Sequence, residues 1–480
     1  MHTEFSAQPE EQTVTSVPQR ASVWRTVTEA IKGTHQDFTQ LSISRAVFLL
    51  AIPMVLEMTM ESLFALVDVF WVTRLGANAV ATVGLTESML ALVFSVALGV
   101  SFSTTAMVAR RIGEKDPEGA ATAAMQSIFL GIGVALAMGI PAMLFAHQLL
   151  KLMGADVTLI AGGHRYTEIV FGGTAIVMLL FLNNAIFRGA GDASIAMRAL
   201  WFSNLINLCL DPCFIFGVGP FPKLGVTGAA IATLIGRSCG VGYQFWILTN
   251  GTGRILLAKR HLRLVPKVIE SLIRVSSTGV LQFLIAHISW VVLVRIISSF
   301  GSLAVAGYTI GMRVFMFVIL PSWGMSGAAA TMVGQNLGAK KPQRAERAVY
   351  ITGGYNAVYL AVIAMVLIFA PHFVVSFFSP DPVVSRFAAD CLRIIGYGNL
   401  AYAFGMVMIQ AFNGAGDTVT PTIINVISFW LCQIPLAWFL ANRTSLHVDG
   451  VFTSIPVADT VMTVLSLIVF ARGGWKRRQI

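Results

Sequence analysis

Three carboxylates, Glu57, Glu61 and Asp68, stand inside one apolar stretch, AVFLLAIPMVLEMTMESLFALVDVFWV at residues 46–72. About 20 apolar residues suffice to cross the hydrocarbon of a bilayer, so these acids lie at membrane depth. At roughly 100° per residue, Glu61 projects about 40° from Glu57, and Asp68 about 20° from it. All three share one face. Inserting a central acid costs about 3 kcal/mol, whereas each Leu or Val returns only about 0.3–0.6 kcal/mol. The face therefore points into protein or water. Such acids carry protons, ligate a cation, or form a structural seam between helices. Function outweighs the seam, because acids inside a membrane mark ion and substrate pathways by default.

Other polar residues fall within reach of that chemistry. Asn207 and Asp211 are four apart and share a helical face. Pro212 follows, and the residue before a proline is biased away from helix, so a local break exposing backbone carbonyls is expected there. Thr233 and Arg237 are also four apart, and Arg237 either pairs with an acid, for which Glu57 and Glu61 are the candidates, or snorkels its head to an interface. Tyr166 opens the fourth apolar span. Asn184, Gln282, His287 and Arg313 are further candidates for a polar cavity lining, although a lone His287 reads first as a hydrogen-bonded core residue. Pro53, one turn before Glu57, removes a helix bond and permits a bend. Carboxylates beside Asn, Thr and carbonyl oxygens suit a proton or a hard cation such as Na⁺, the latter at Asp68, Asn207, Asp211 and Thr233. The sequence leaves both open. It contains no Walker loop, HExxH, GxSxG or Cys/His metal cluster, so neither a cofactor nor a resident metal is expected.

The elements that must position these residues are membrane helices. Of the 480 residues, 56% are hydrophobic and 12% charged, against about 25% charged in soluble domains. Twelve spans are expected, at 46–72, 80–109, 121–147, 160–187, 193–217, 224–249, 269–298, 303–334, 347–378, 385–412, 419–441 and 450–472. The net charge of +10 has a topological reading. Arg110, Arg111, Lys115, Arg188, Arg254, Lys340, Lys341 and Arg344 gather on alternate loops, and the positive-inside rule places those loops and both termini in the cytoplasm. Nucleic acid is excluded as a partner. The five cysteines lie in or beside spans and read as small buried residues. Residues 1–45 read as a flexible cytoplasmic tail, with a surface helix near Trp24–Ile31.

The chain repeats itself. Gly76 matches Gly301, Gly113 matches Gly338, Gly189-Ala-Gly-Asp192 matches Gly414-Ala-Gly-Asp417, and Gly225 matches Gly450, every pair 225 residues apart. Two parallel six-helix units follow: an N-lobe at 46–250, a linker at 251–268, a C-lobe at 269–472 and a tail at 473–480. In such transporters the substrate path lies between the repeats, which rock about it. Asp192 and Asp417 read as turn and cap residues. Asp68 corresponds to Leu293, Tyr166 to Cys391, Thr233 to Ala458, Asn207 to Trp430 and Asp211 to Ile434. The scaffold repeats and the acids do not, so the ionisable site is expected in the N-lobe.

These residues, in this order, resemble the multidrug and toxic compound extrusion (MATE) exporters, in particular the prokaryotic DinF-like branch. The resemblance covers nearly the whole chain after residue 40. It rests on AIPM, LVDVFWVTRLG, MVARRIG, the RGAGD reached from Asn184, NLCLDP from Asn207, GAAIAT ending at Thr233, and MVGQNLGAKKP. It implies an all-α fold of two six-helix lobes around a V-shaped cavity. It also implies a prokaryotic cell (inner) membrane protein, working as a monomer, that exports small amphipathic, often cationic molecules against an inward H⁺ or Na⁺ gradient. The branch's N-lobe network corresponds to Asp68, Tyr166, Asn207, Asp211 and Thr233, and its bending helix to Pro53. Glu57, Glu61 and Arg237 lie outside that network. The competing expectations are a lipid-linked saccharide flippase of the same superfamily, which would need a strongly cationic cavity, and an integral-membrane enzyme, for which no catalytic constellation stands out.

Overall fold

The structure is a computed structural model describing residues 23–34 and 36–478. A short amphipathic helix α1 (Val23–Lys32) precedes the bundle. The first half comprises α2 (Ile43–Thr73), α3 (Ala77–Gly113), α4 (Pro117–Leu144), α5 (Ala146–Leu152), α6 (Val157–Gly172), α7 (Thr174–Ala190), α8 (Ala193–Phe216) and α9 (Val226–Asn250). The second comprises α10 (Pro266–Ser298), α11 (Ser302–Gly338), α12 (Pro342–Phe369), α13 (Pro371–Ser376), α14 (Pro382–Gly414), α15 (Val419–Asn425), α16 (Ile434–Arg443) and α17 (His447–Ala471), with a π-helical turn Val426–Gln433 between α15 and α16.

Among the described residues, ten helical stretches are long and apolar enough to cross a membrane, with α15, the π-helical turn and α16 counted as one, and eleven when α6 and α7 count as one bent span. The twelfth expected crossing is α9. Its 25 residues reach about 37 Å at 1.5 Å each, while its glycines and Arg237 make it less apolar than the rest.

The internal repeat is written in the backbone. Helices α3 and α11 each have 37 residues, and α4 and α12 each have 28, with starts 225 apart. Lys115 (φ 60°) and Lys340 (φ 58°) turn left-handed at the same place in both halves. One difference matters mechanically. The second half runs unbroken through α14 for 33 residues, where the first breaks into α6 and α7, bent by 41°.

The halves meet along α2, α3, α10 and α11. The seam has its own two-fold symmetry. A Cβ on Gly113 would collide with the Gln335 carbonyl, and one on its counterpart Gly338 with the Arg110 carbonyl. Gln335 is itself the counterpart of Arg110, so the matched glycines allow each helix to approach the other's backbone. Further up the same seam, Gly99 abuts Val280 and Gly279.

The end of the bundle that carries the basic loops is crossed by residues 33–34 and 36–42. Arg254 donates to the carbonyls of Thr34 (3.0 Å) and Gln36 (2.7 Å) and lies 4.8 Å from the centre of the buried Phe38 ring. Lys341 donates to the Thr39 carbonyl (2.9 Å), and Arg344 to those of Phe38 (3.0 Å) and Leu41. The segment thus forms a strap held by the linker on one side and the second half on the other. That corrects its reading as a flexible tail, because backbone carbonyls without helical partners bind nearby guanidinium and ammonium groups. The expected surface helix is α1, and residues 1–22 of the expected tail lie outside those described. The C-terminal segment also folds back. Trp475 stacks on Phe470 (4.7 Å), Lys476 pairs with Glu346 (2.7 Å), and Arg110 donates to the Arg478 carbonyl (2.7 Å).

Two smaller expectations need revision. Cys391 is buried, but Cys209 is exposed and Cys213, Cys239 and Cys432 are partly so, since they sit on outward faces of their helices. Asp417 caps its turn by accepting from Thr420 (Oγ1, 2.7 Å). Asp192 does more than close a turn: it accepts from the Arg254 backbone N–H at 2.7 Å and pairs with its guanidinium at 3.3 Å, docking the linker.

Candidate functional site

The five N-lobe residues converge from four helices. On α8, Asn207 and Asp211 are one turn apart, and Asn207 Nδ2 donates to Asp211 Oδ1 at 3.3 Å and to Thr233 Oγ1 of α9 at 3.0 Å. Asp211 is fully buried and Asn207 nearly so. Tyr166 of α6 is buried and interacts electrostatically with Asp68 of α2, Asp211 and Arg237. Asp68 is partly buried. Among the described residues, Asp68 Oδ1, Asn207 Oδ1 and Asp211 Oδ2 are buried without a hydrogen-bond donor. Buried acceptors are ordinarily satisfied, so three converging oxygens without donors fit a site for a proton or a small cation. Glu87 of α3, exposed at the edge of this group, interacts with Asp68.

The expected helix break before Pro212 is absent. Helix α8 runs through it to Phe216 and ends at the left-handed Gly217. The helix continues, although Pro212 deprives the Leu208 carbonyl of its usual partner. Pro53 likewise lies buried within the continuous α2.

A cavity of about 330 Å³ opens between the halves. Glu57, Glu61, Asn184 and Arg237 line it, as anticipated, among walls of Phe94, Phe102, Phe181, Phe283 and Trp323. Asn184 is fixed there by Gln244, at 2.6 Å. Three anticipated lining residues are elsewhere. Gln282 is buried on α10, where Asn425 Nδ2 of α15 donates to its backbone carbonyl (3.5 Å). His287 lies 5.8 Å from the Trp290 ring. Arg313 is exposed on α11 and interacts with Glu87. Their helices are rotated so that Phe283 and Leu320 face the cavity instead.

The charge pairing also differs from expectation. Glu57, only 1% exposed, pairs with Arg188 of α7 at 3.4 Å, while Arg237 interacts with Asp68. Arg188 read as a loop residue; it lies instead in the last turn of α7, within reach of α2. The sequence reading also missed Asp459. It is buried in α17 and acts electrostatically on Tyr402 of α14, so the second half is not free of intramembrane acid. As the lone acid in the run 451–471, it was visible. Comparing halves only at the counterparts of first-half acids passes over it.

Comparison with known proteins agrees with this architecture. The family profile described as MatE matches residues 53–213 and 280–439, one match in each half. The probable multidrug resistance protein YoeA of Bacillus subtilis is 24% identical over 93% of this chain and 97% of its own length. The probable multidrug resistance protein NorM of Thermotoga maritima is 26% identical over 91% and 94%. A crystal structure of MATE in complex with MaL6 superposes with a TM-score of 0.85 at 26% identity, covering 92% of this chain and 99% of the other.

Proposed function

The chain belongs to the MatE family, and from that premise we propose that it is a secondary active exporter of small amphipathic compounds, coupled to H⁺ or Na⁺ through the first half. The observation that carries the coupling assignment is the convergence of Asp68, Tyr166, Asn207, Asp211 and Thr233, with three buried oxygens lacking donors among the described residues, beside a cavity both halves line. Arg237 belongs to both, interacting with Asp68 while lining the cavity. Loading Asp68 and Asp211 with a proton or cation changes the field at Arg237 and so at the substrate. Aromatic and methionine walls suit adaptable apolar substrates, and Glu57 and Glu61 favour those carrying positive charge. The charged lining is balanced, two Glu against Arg188 and Arg237, which disfavours a pyrophosphate-linked saccharide. The basic loops are assigned to the cytoplasmic face of the inner membrane, and one chain holds both the cavity and the coupling residues, so a monomer suffices. No cofactor is required beyond the coupling ion.

The test is uptake of a fluorescent cationic dye into proteoliposomes under a pH gradient or a Na⁺ gradient imposed separately. Uptake driven by one gradient, and abolished in both Asp68→Asn and Asp211→Asn, is expected. Gradient-driven uptake that survives in both variants would move the coupling site elsewhere.

A further inference from the structure

The Glu57–Arg188 pair is poorly made for a structural tie. Among the described residues it makes one hydrogen bond, long at 3.4 Å, and Glu57 Oε2 is buried with no donor. A desolvated ion pair repays its cost only when the remaining lone pairs are satisfied. Here one carboxylate oxygen is left without a partner on the wall of a cavity, and Glu61, one turn along α2, lines the same wall.

Arg188 is also tied to the seam between the halves. Its backbone carbonyl accepts from Thr331 Oγ1 of α11 at 3.0 Å, and the Gly189 carbonyl accepts from Gln335 Nε2 at 3.0 Å. Two bonds from the second half thus hold the last turn of α7, where its guanidinium faces Glu57. Separation of the halves at this end breaks both.

We propose that Glu57 receives the cationic group of the transported molecule, and that Arg188 is a built-in competitor for it, engaged only while the halves are closed at the basic-loop end. This rests on the exporter reading and deepens it. With the seam closed, the guanidinium occupies the carboxylate and the cavity releases cations. With the seam open, α7 loses its two tethers, Arg188 withdraws, and Glu57 with Glu61 presents uncompensated negative charge. Affinity then alternates with access, through a charge carried by the protein itself.

The experiment measures binding of tetraphenylphosphonium, whose charge does not titrate, beside the uncharged triphenylphosphine oxide, on the purified full chain in nanodiscs. Arg188→Gln is expected to tighten phosphonium binding by about tenfold and Glu57→Gln to weaken it by at least about tenfold, the scale of a single close charge pair. The neutral compound is expected to bind all forms alike. Arg188→Lys keeps the competitor and is expected to behave as the parent. Thr331→Val, which touches neither charge, is expected to tighten binding in the same direction as Arg188→Gln. In transport, Arg188→Gln is expected to lower KM and kcat together. A parent that binds phosphonium, with Glu57→Gln and Arg188→Gln indistinguishable from it, overturns this assignment and leaves the exporter reading standing. Equal losses for the charged and the neutral compound also overturn it, since they mark a structural tie. A parent that binds neither compound and moves no dye under any gradient overturns the exporter reading, and this proposal with it.

Discussion

At the scale of single residues, Asn207 is the keystone of the first-half cluster, since one amide supplies hydrogen bonds to both Asp211 and Thr233. Asn207→Ala leaves a buried carboxylate without that donor, at a cost of about 1–3 kcal/mol. It is expected to lower the melting temperature in detergent and to depress gradient-driven transport. A variant melting and transporting like the parent would remove Asn207 from the site. Asp459 gives the opposite prediction. If coupling resides in the first half, Asp459→Asn keeps gradient-driven transport near the parent's level, whereas a loss equal to that of Asp68→Asn would spread coupling over both halves. The cluster was legible because acids inside an apolar run are costly wherever they face. The partners of those acids were not. Helical spacing puts Glu57, Glu61 and Asp68 on one face, but only the position of α7 decides that Arg188, rather than Arg237, reaches Glu57.

At the scale of elements, the repeated glycines foretold the framework and the seam explains two of them. Gly113→Ala drives a methyl group into the Gln335 carbonyl, a backbone atom that moves only if α3 and α11 part. An overpacked contact of this kind costs about 1–3 kcal/mol. It is expected to shift the molecule away from the closed seam, read as a longer distance between spin labels placed on α3 and α11. An unchanged distance with an unchanged melting temperature would mean that the seam tolerates the group. Span positions were readable from hydropathy. The bend between α6 and α7, the unbroken passage of α8 through Pro212 and the π-helical turn of the second half were not, because packing against neighbours overrides the local preference of Gly and Pro.

At the scale of the whole molecule, the strap joins what rocking must separate. Replacing Lys341 and Arg344 by Ala removes the bonds to the Thr39, Phe38 and Leu41 carbonyls, each worth about 0.5–1.5 kcal/mol. Faster amide hydrogen exchange over residues 36–41 is expected, and unchanged exchange would show that Arg254 and Phe38 suffice. Within the strap, burial pushes the Asp37 carboxyl up. Hydrogen bonds from Thr39 and the charges of Lys115 and Lys341 outweigh it, holding the group below its ordinary 3.8. Its stabilisation is complete above that value and is lost as pH falls through the lower folded one. Protection of the strap at about pH 5 is therefore expected to equal that at about pH 7; weaker protection at the lower pH would deny Asp37 this role. The strap also sets an order of events during synthesis. Residues 34–41 emerge some 300 residues before Lys341 and Arg344, a wait of roughly 15–60 s at about 5–20 residues per second. The Phe38, Thr39 and Leu41 carbonyls must be kept free of other partners through that interval, so the second side of the strap closes only once the second half has begun to form.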